Sequence, residues 1–503
     1  MQESGTSIAE FFTNLVATLN GYVWSDALIF LCLGAGLFYS ILTRFVQVRL
    51  FREMIHLLVS SKESDRGISS FQALAVSLAG RVGTGNIAGV AAAIGFGGPG
   101  AVFWMWVVAF LGSATAYVES ALGQIYKEVD EGQYRGGPAY YIEKAMGQKW
   151  YAWIFATATI FACGALLPGV QSNSIGNAAN LAFGGGTMVN FFGDTVPLAK
   201  IVAGAVVVSV LGFVIFGGIK RIAHVTQVIV PFMALGYILM ALGIIIMHIT
   251  ELPAIIALIV GDAFNPMAGI GAAIGWGVKR GIYSNEAGQG SGPHAAAASE
   301  VEHPAQQGLV QSFSVYVDTL FVCSATAFMI LITQQYYVTG LDGSISNGVL
   351  GNDVVIASPA FTQLALESVL GGFGKTFVAI ALFFFAFTTL LAYYYIAETN
   401  VAYIRRTIHV RGLLTALKVV TLVAAFYGTL REANLAWAMG DLGVGLMAWL
   451  NIIGILILFF MGRPALKALK DYEAQRNAGV AHYTFDPKAL GIRNAHFWED
   501  RNG

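Results

Sequence analysis

Apolar residues fall in eleven long stretches, roughly 25–43, 70–96, 99–126, 150–182, 200–219, 223–247, 266–298, 308–334, 373–402, 413–430 and 437–461. Each approaches or exceeds the about 20 residues that carry a helix across a hydrocarbon core. The pattern predicts an all-α integral membrane chain. Ahead of the first stretch, Ile8–Leu19 is amphipathic and is expected to lie at the membrane surface. The longest polar connection, 335–372, carries Gly, Ser and Asn punctuation and is expected to form an extracytoplasmic loop with short helices of its own. A charged tail, 462–503, closes the chain.

Composition strengthens this picture. Of 503 residues 56% are apolar and 11% charged, and the mean hydropathy is +0.67. A soluble domain usually carries about 25% charge, and 57 charged side chains cannot clothe a soluble surface of this size. The net charge of −1 excludes a basic, nucleic-acid-binding body. Cys32, Cys163 and Cys323 each stand alone in an apolar stretch, without disulfide or metal spacing, and read as packing residues. Glu3 and Glu10 occupy the place of a cationic leader region, so no cleaved signal peptide is expected.

Charge placement orients the ladder. With the N-terminus outside, 22 of the 28 Lys and Arg residues fall in inside loops and the tail, among them Arg44, Lys62, Arg66, Lys127, Arg221 and Arg405. Only Lys200, Lys375 and Arg431 fall outside, and Arg81, Lys279 and Arg280 sit within spans. The positive-inside rule then puts the N-terminus outside and the C-terminus in the cytoplasm; a bacterial-type inner (plasma) membrane is the expected location.

Two spans are irregular. The second contains Leu78-Ala-Gly-Arg-Val-Gly-Thr-Gly-Asn86. The seventh contains Gly269-Ile-Gly-Ala-Ala-Ile-Gly-Trp-Gly-Val-Lys-Arg-Gly281, then Ser284-Asn-Glu-Ala-Gly-Gln-Gly-Ser-Gly292. One glycine cluster alone would serve equally for close helix packing. Two, with embedded charges, predict interrupted helices, whose bare backbone survives only against protein or a polar cavity. With the first span set aside, ten remain, and an interrupted helix leads each group of five. Five is odd, so the groups enter the membrane from opposite sides, an inverted repeat of the kind secondary transporters use. The chain thus divides into 1–69, a first repeat 70–247, a second repeat 248–461 and the tail. Helix ends at a break supply N–H groups for a carboxylate and C=O groups for a cation, which suits a small zwitterionic solute.

Several motifs resemble the alanine or glycine:cation symporter family. They are Phe71-Gln-Ala-Leu-Ala75 with Ala79-Gly-Arg-Val-Gly-Thr-Gly-Asn-Ile-Ala-Gly89, Gly136-Gly-Pro-Ala-Tyr-Tyr141, Gly281-Ile-Tyr-Ser-Asn-Glu-Ala-Gly-Gln-Gly-Ser-Gly292 and Phe485-Asp-Pro. The resemblance covers nearly the whole chain. It implies the leucine-transporter (LeuT) fold and sodium-coupled uptake of alanine, glycine or a related small neutral amino acid. Neither an organic cofactor nor an obligate protein partner is implied, and the lipid bilayer is the expected surrounding.

Carried onto this chain, that fold places the substrate carboxylate on the N–H groups of Thr84 and Gly85, with Gly83 permitting the turn. Asn86 either contacts the ligand or caps the outer half-helix. Gly275, Trp276 and Gly277 are the expected second break, their carbonyls facing the ammonium and Trp276 walling the pocket. Gln171, deep in the fourth span, contacts substrate or acts as helix–helix glue. For sodium, the resemblance implies the carbonyls of Ala79 and Val82 and the hydroxyls of Thr388 and Thr389; alternatively the threonines only bond back to their own helix.

Arg81, Glu119, Glu286 and Asp318, with Lys279, Arg280, Glu398 and Asp441, lie within or near the ends of spans and are read as pairing with one another in cytoplasmic gates and structural anchors, Arg81 with Glu286 or Glu119. A cation fixed at Arg81 would instead make proton coupling conceivable. A glutamine- or serine-preferring symporter would leave nearly the same motifs. An ion channel would show a repeated filter sequence. A membrane enzyme would show HExxH, a Walker loop or a metal cluster, and the chain has none of these.

Overall fold

The computed structural model describes residues 8–59, 67–191, 193–265, 270–340 and 343–501. Glu3, Lys62, Arg66 and Gly269, used above, lie outside the described residues. The chain is an all-α integral membrane protein, and its described strands form three small two-stranded hairpins.

Eight described helices are long and apolar enough to cross a membrane, or nine if the bent pair at the start counts as one span. That pair is α1 (Ile8–Val23) and α2 (Asp26–Leu42). The second apolar stretch is interrupted, as α3 (Ser70–Arg81) and α4 (Ala88–Gly97), and α5 (Ala101–Ile125) follows. Next come α6 (Lys149–Phe183), α7 (Leu198–Ile215) and α8 (Gly218–Met247). The seventh apolar stretch forms α9 (Ile270–Asn285) and α10 (Gly292–Ala298), and then comes α11 (Pro304–Ile332). The helices α12 (Gly372–Arg405), α13 (Leu413–Leu430), α14 (Ala433–Phe460) and α15 (Pro464–Asn477) are the last long ones, and a short helix, His496–Arg501, lies in the tail. The connection expected to hold short helices contains one, Ala360–Leu370, and a two-stranded hairpin.

Burial follows from which faces are apolar on every side. The helices α7, α8 and α13 turn large apolar residues outward, such as Phe213, Phe232 and Val423, as lipid-facing helices do. Inside them, α5 is the post around which α2, α9, α10 and α11 pack. Its neighbours approach through small residues. A Cβ on Gly277 would lie 2.6 Å from Trp104 Cβ, and one on Gly36 would lie 2.9 Å from Leu111 Cβ. The first interrupted helix is started by Ser69, which accepts from the Gln72 N–H at 3.1 Å while Gln72 Oε1 accepts from the Ser69 N–H at 3.0 Å, a reciprocal cap.

Two tethers gather at the tail-bearing end. Ile68 forms a parallel bridge with Ser299: the Ile68 N–H donates to Ala298 O at 3.0 Å and the Glu300 N–H to Ile68 O at 3.1 Å. The tail packs beside it, with Trp498 buried and donating to Gln124 O at 2.9 Å. Lys127 donates to Ser299 O at 2.8 Å and lies 4.3 and 4.5 Å from the ring centres of Tyr134 and Phe497. Burial pulls its ammonium well below the ordinary lysine value. Phe485, of the tail motif, is buried against Trp498 and His303.

The packing makes a stability prediction. Gly277→Val should lower the unfolding temperature of the purified protein, since overpacking costs about 1–3 kcal/mol. Gly271→Ala, where a Cβ meets nothing within 4 Å, should leave it unchanged or raise it. Equal melting curves for the two variants would refute close packing as the role of Gly277.

Candidate functional site

The first break lies where α3 ends. Gly83 is extended (φ −140°, ψ −149°), and Thr84–Asn86 make a single tight turn before α4 begins. A Cβ on Gly83 would collide with Thr389 Oγ1 and sit 2.9 Å from Gln171 Oε1; one on Gly85 would lie 3.1 Å from Ser284 Cα. Three other helices, α6, α9 and α12, therefore close directly on this turn. Its freed donors find partners there. The Gly83 N–H donates to Asn86 Oδ1 at 2.8 Å, and the Thr84 N–H to Gln171 Oε1 at 3.0 Å. Asn86 thus caps the turn, while its Nδ2 donates to Asp318 Oδ1 at 2.6 Å.

The expected ion ligands divide. Thr389 Oγ1 lies 2.7 Å from Ala79 O and 3.4 Å from Val82 O, so three of the four come together. Thr388 bonds back to Phe384 O and Phe385 O, both at 3.0 Å, and faces Met233 on α8. Adjacent helical residues point about 100° apart, so one of the pair meets the break and the other turns from it.

The second break is not where the sequence placed it. Gly275, Trp276 and Gly277 lie inside continuous α9, with their carbonyls in the helix ladder. The interruption runs over 286–291, with left-handed backbone at Glu286 (φ +57°), Gly288 (φ +84°) and Gly290 (φ +81°), and α10 starts with Pro293 in its first turn. Trp276 is ten residues, roughly 15 Å, up the helix, and it stacks on Phe96 with ring centres 4.6 Å apart.

Glu119 of α5 holds this second break. Its Oε1 accepts from the Gly288 N–H at 3.3 Å, and its Oε2 from the Gly290 N–H at 3.1 Å and Asn451 Nδ2 at 2.7 Å. Glu286 Oε2 accepts from Ser291 Oγ at 2.8 Å. Asp318 sits in a π turn of α11, Tyr316–Cys323, and joins both breaks: besides Asn86 it accepts from Ser284 Oγ at 3.0 Å and Thr319 Oγ1 at 2.6 Å.

Arg81 departs from expectation. Among the described residues no carboxylate oxygen comes within 4 Å of it; it donates instead to Gln311 O at 3.0 Å and to Ser314 Oγ. The salt bridge to Glu286 or Glu119 is not made. Lys279, Arg280 and Asp441 do pair with one another. Arg280 grips Asp441 with two bonds of 2.8 Å, and Lys279 adds one at 2.7 Å. Asp441 is nineteen residues, roughly 29 Å, from the tail-side end of α14, so this trio closes the opposite end. Glu398 lies 3.7 Å from Arg135 at the tail side.

Other residues at the first break escaped the sequence reading. Tyr283, in the last turn of α9, faces Gln171 and packs on Trp437, ring centres 4.8 Å apart. Arg280 lies 4.5 Å from the Trp437 ring. Thr84 Oγ1 and Trp437 Nε1 are buried polar atoms without a hydrogen-bond partner among the described residues, so the turn is lined by groups able to bind a polar solute. Position two before Asn285 was the available signal for Tyr283; for Trp437, at the start of an apolar span, there was none.

The comparisons agree with this setting. The model of the sodium:alanine symporter family matches residues 9–486. The Bacillus subtilis protein YrbD, whose assigned name is that of a sodium/proton-dependent alanine carrier, is 58% identical over 97% of each chain. The sodium/proton-dependent alanine carrier protein of Bacillus sp. strain PS3 is 47% identical over 89% of this chain and 97% of its own. The sodium/alanine symporter AgcS of Methanococcus maripaludis is 37% identical over 89% and 95%. The chain belongs to the sodium:alanine symporter family and is a transporter, not an enzyme.

The role of Glu119 is testable. In Glu119→Gln an amide N–H₂ would oppose backbone N–H groups, and amide exchange at Gly288 and Gly290 should rise about tenfold or more, equivalent to about 1.4 kcal/mol. Unchanged exchange there would remove Glu119 as the support of the break.

Proposed function

We propose that this member of the sodium:alanine symporter family takes up a small neutral amino acid, alanine foremost, together with sodium, by alternating access around its two helix breaks. The observation that carries the reading is the convergence of Thr389 Oγ1 on Ala79 O and Val82 O, 2.7 and 3.4 Å away, at the end of an interrupted helix. These are hard oxygen donors without a carboxylate, a set suited to a monovalent ion rather than calcium.

The amino acid would bind beside them. Its carboxylate would take the Thr84 and Gly85 N–H groups, displacing Gln171 Oε1 from Thr84, and Gln171 would turn its amide oxygen to the ammonium. The last turn of α9, at Tyr283–Asn285, brings the negative end of a helix dipole to the same place. Tyr283 and Trp437 would close over the side chain. We read 70–247 and 248–461 as inverted repeats in the LeuT arrangement, with the tail in the cytoplasm. The charge bias of the loops and an interrupted helix at the head of each repeat support this. The Arg280–Asp441 pair then belongs to the outer closure and the Ile68–Ser299 bridge to the inner one.

Proteoliposomes should accumulate labelled alanine under an inward sodium gradient, and a competition panel including glycine, serine, glutamine and D-alanine would rank substrates. Accumulation driven equally by a pH gradient in sodium-free buffer would assign the coupling to protons. Thr389→Ala should raise the half-saturating sodium concentration about tenfold or more, the loss of one ligand worth about 1.4 kcal/mol, whereas Thr388→Ala should change it little. Gln171→Ala should raise KM for alanine and leave the sodium midpoint near that of the wild type. Equal sodium midpoints in Thr389→Ala and wild type would defeat the ion assignment.

A further inference from the structure

We propose that the charged tail is an autoinhibitory strap: it fastens the segment 299–303 to the body of the bundle, and the inner closure opens only when the strap lets go. The inference rests on the alternating-access reading above and gives a task to a part of the chain outside the two repeats.

The segment 299–303 joins α10 to α11 and carries the bridge to Ile68. A swing of α10 at its tail-side end must carry this segment along. Three successive residues of it are held, each by a different part of the tail. Val301 O accepts from Arg501 Nη1, in the short terminal helix, at 2.8 Å. Glu302 Oε2 accepts from the Tyr483 N–H at 3.1 Å, and its Oε1 lies 3.2 Å from His482 Nδ1. His303 Nε2 lies 3.1 Å from Asp471 Oδ2 on α15, and its ring centre is 5.3 Å from that of Tyr472 and 5.1 Å from that of Phe485.

The same three parts of the tail grip elements outside the interrupted helices. Trp498 donates to Gln124 O of α5 at 2.9 Å, and Asn494 Nδ2 to Lys144 O at 2.8 Å. On α15, Glu473 pairs with Arg44 and Arg49 at 2.9 and 2.6 Å, and Tyr472 Oη donates to Glu53 Oε1 at 2.6 Å. Lys127, which holds Ser299 O, is roofed by the Phe497 and Trp498 rings, 4.5 and 5.5 Å from their centres. The tail thus spans from the central post to the segment that has to move.

Its build suits detachment. From 478 to 495 the strap has no helix or strand, and within that stretch only Phe485, Pro487, Ile492 and Ala495 are buried. A unit held by few buried side chains opens locally at a lower free energy than the core it covers. Release would leave the helices of the bundle packed and would remove the holds on 301, 302 and 303 together. While fastened, the strap favours the closed inner side and slows each transport cycle.

Amide exchange of the full-length chain reads this directly, because the Ile68 and Glu300 N–H groups make the two bonds of the bridge. In Trp498→Ala and in Arg501→Ala both amides should exchange about tenfold faster than in wild type, while Gly288 and Gly290 keep their wild-type rates. In proteoliposomes the same variants should raise the maximal rate of sodium-driven alanine uptake about threefold, as expected where a conformational step limits turnover. Arg501 is exposed, so Arg501→Ala decides the question if Trp498→Ala fails to fold. Wild-type exchange at Ile68 and Glu300 in Arg501→Ala overturns the strap. So does faster exchange that extends to Gly288 and Gly290, or that comes with an unchanged or lower uptake rate. No sodium-driven uptake by wild type overturns instead the transport reading on which the inference rests.

Discussion

Ending a helix inside a packed interior frees N–H and C=O groups that water cannot reach, and this chain does so twice. The cost of leaving such groups bare sets what must surround each break. At the first, Asn86 and Gln171 take the Gly83 and Thr84 N–H groups. At the second, an entire carboxylate is committed: Glu119 accepts from Gly288 and Gly290, is steadied by Asn451, and Asn451 is held in turn by the Tyr141 hydroxyl. The central position of α5 follows, because it carries Glu119 into the middle of the bundle. The small residues that let α2 and α9 approach α5 follow from that position.

How far the molecule was legible depended on whether a property was local. Apolar length and the first break were readable, because Val82-Gly-Thr-Gly-Asn86 must turn wherever it lies. The second break was misplaced because a glycine that admits a neighbour looks the same in sequence as one that turns the chain. Gly277 and Gly281 are helical and face α5, whereas Gly288 and Gly290 have positive φ. The alternation Gly288, Gly290, Gly292 followed by Pro293 was the better signal. The contrast between Thr388 and Thr389 was implicit in helix geometry, though which one faces the break needed the neighbouring helix. The partners of Arg81 and Asp441 were beyond reach, since they are set by helix placement: Arg81 finds a carbonyl and a hydroxyl, and Asp441 finds two cations on α9.

The buried charges are segregated along the bundle. Two cations and one carboxylate meet where α9 faces α14, while three carboxylates and one guanidinium surround the breaks nearer the tail. The first group is direct ion pairing of good geometry, which suits a closure that must hold without water. The second is a network of hydrogen bonds that holds the irregular backbone of both breaks in place.

The bridge between Ile68 and Ser299 has a mechanical consequence. It links the residue ahead of the first capped helix to the residue just past the second broken one through two backbone bonds. The half-helices α3 and α10, far apart in the chain, are thereby yoked like two oars on one thwart. Torque applied to either is delivered to the other, and neither swings alone unless both of those bonds part.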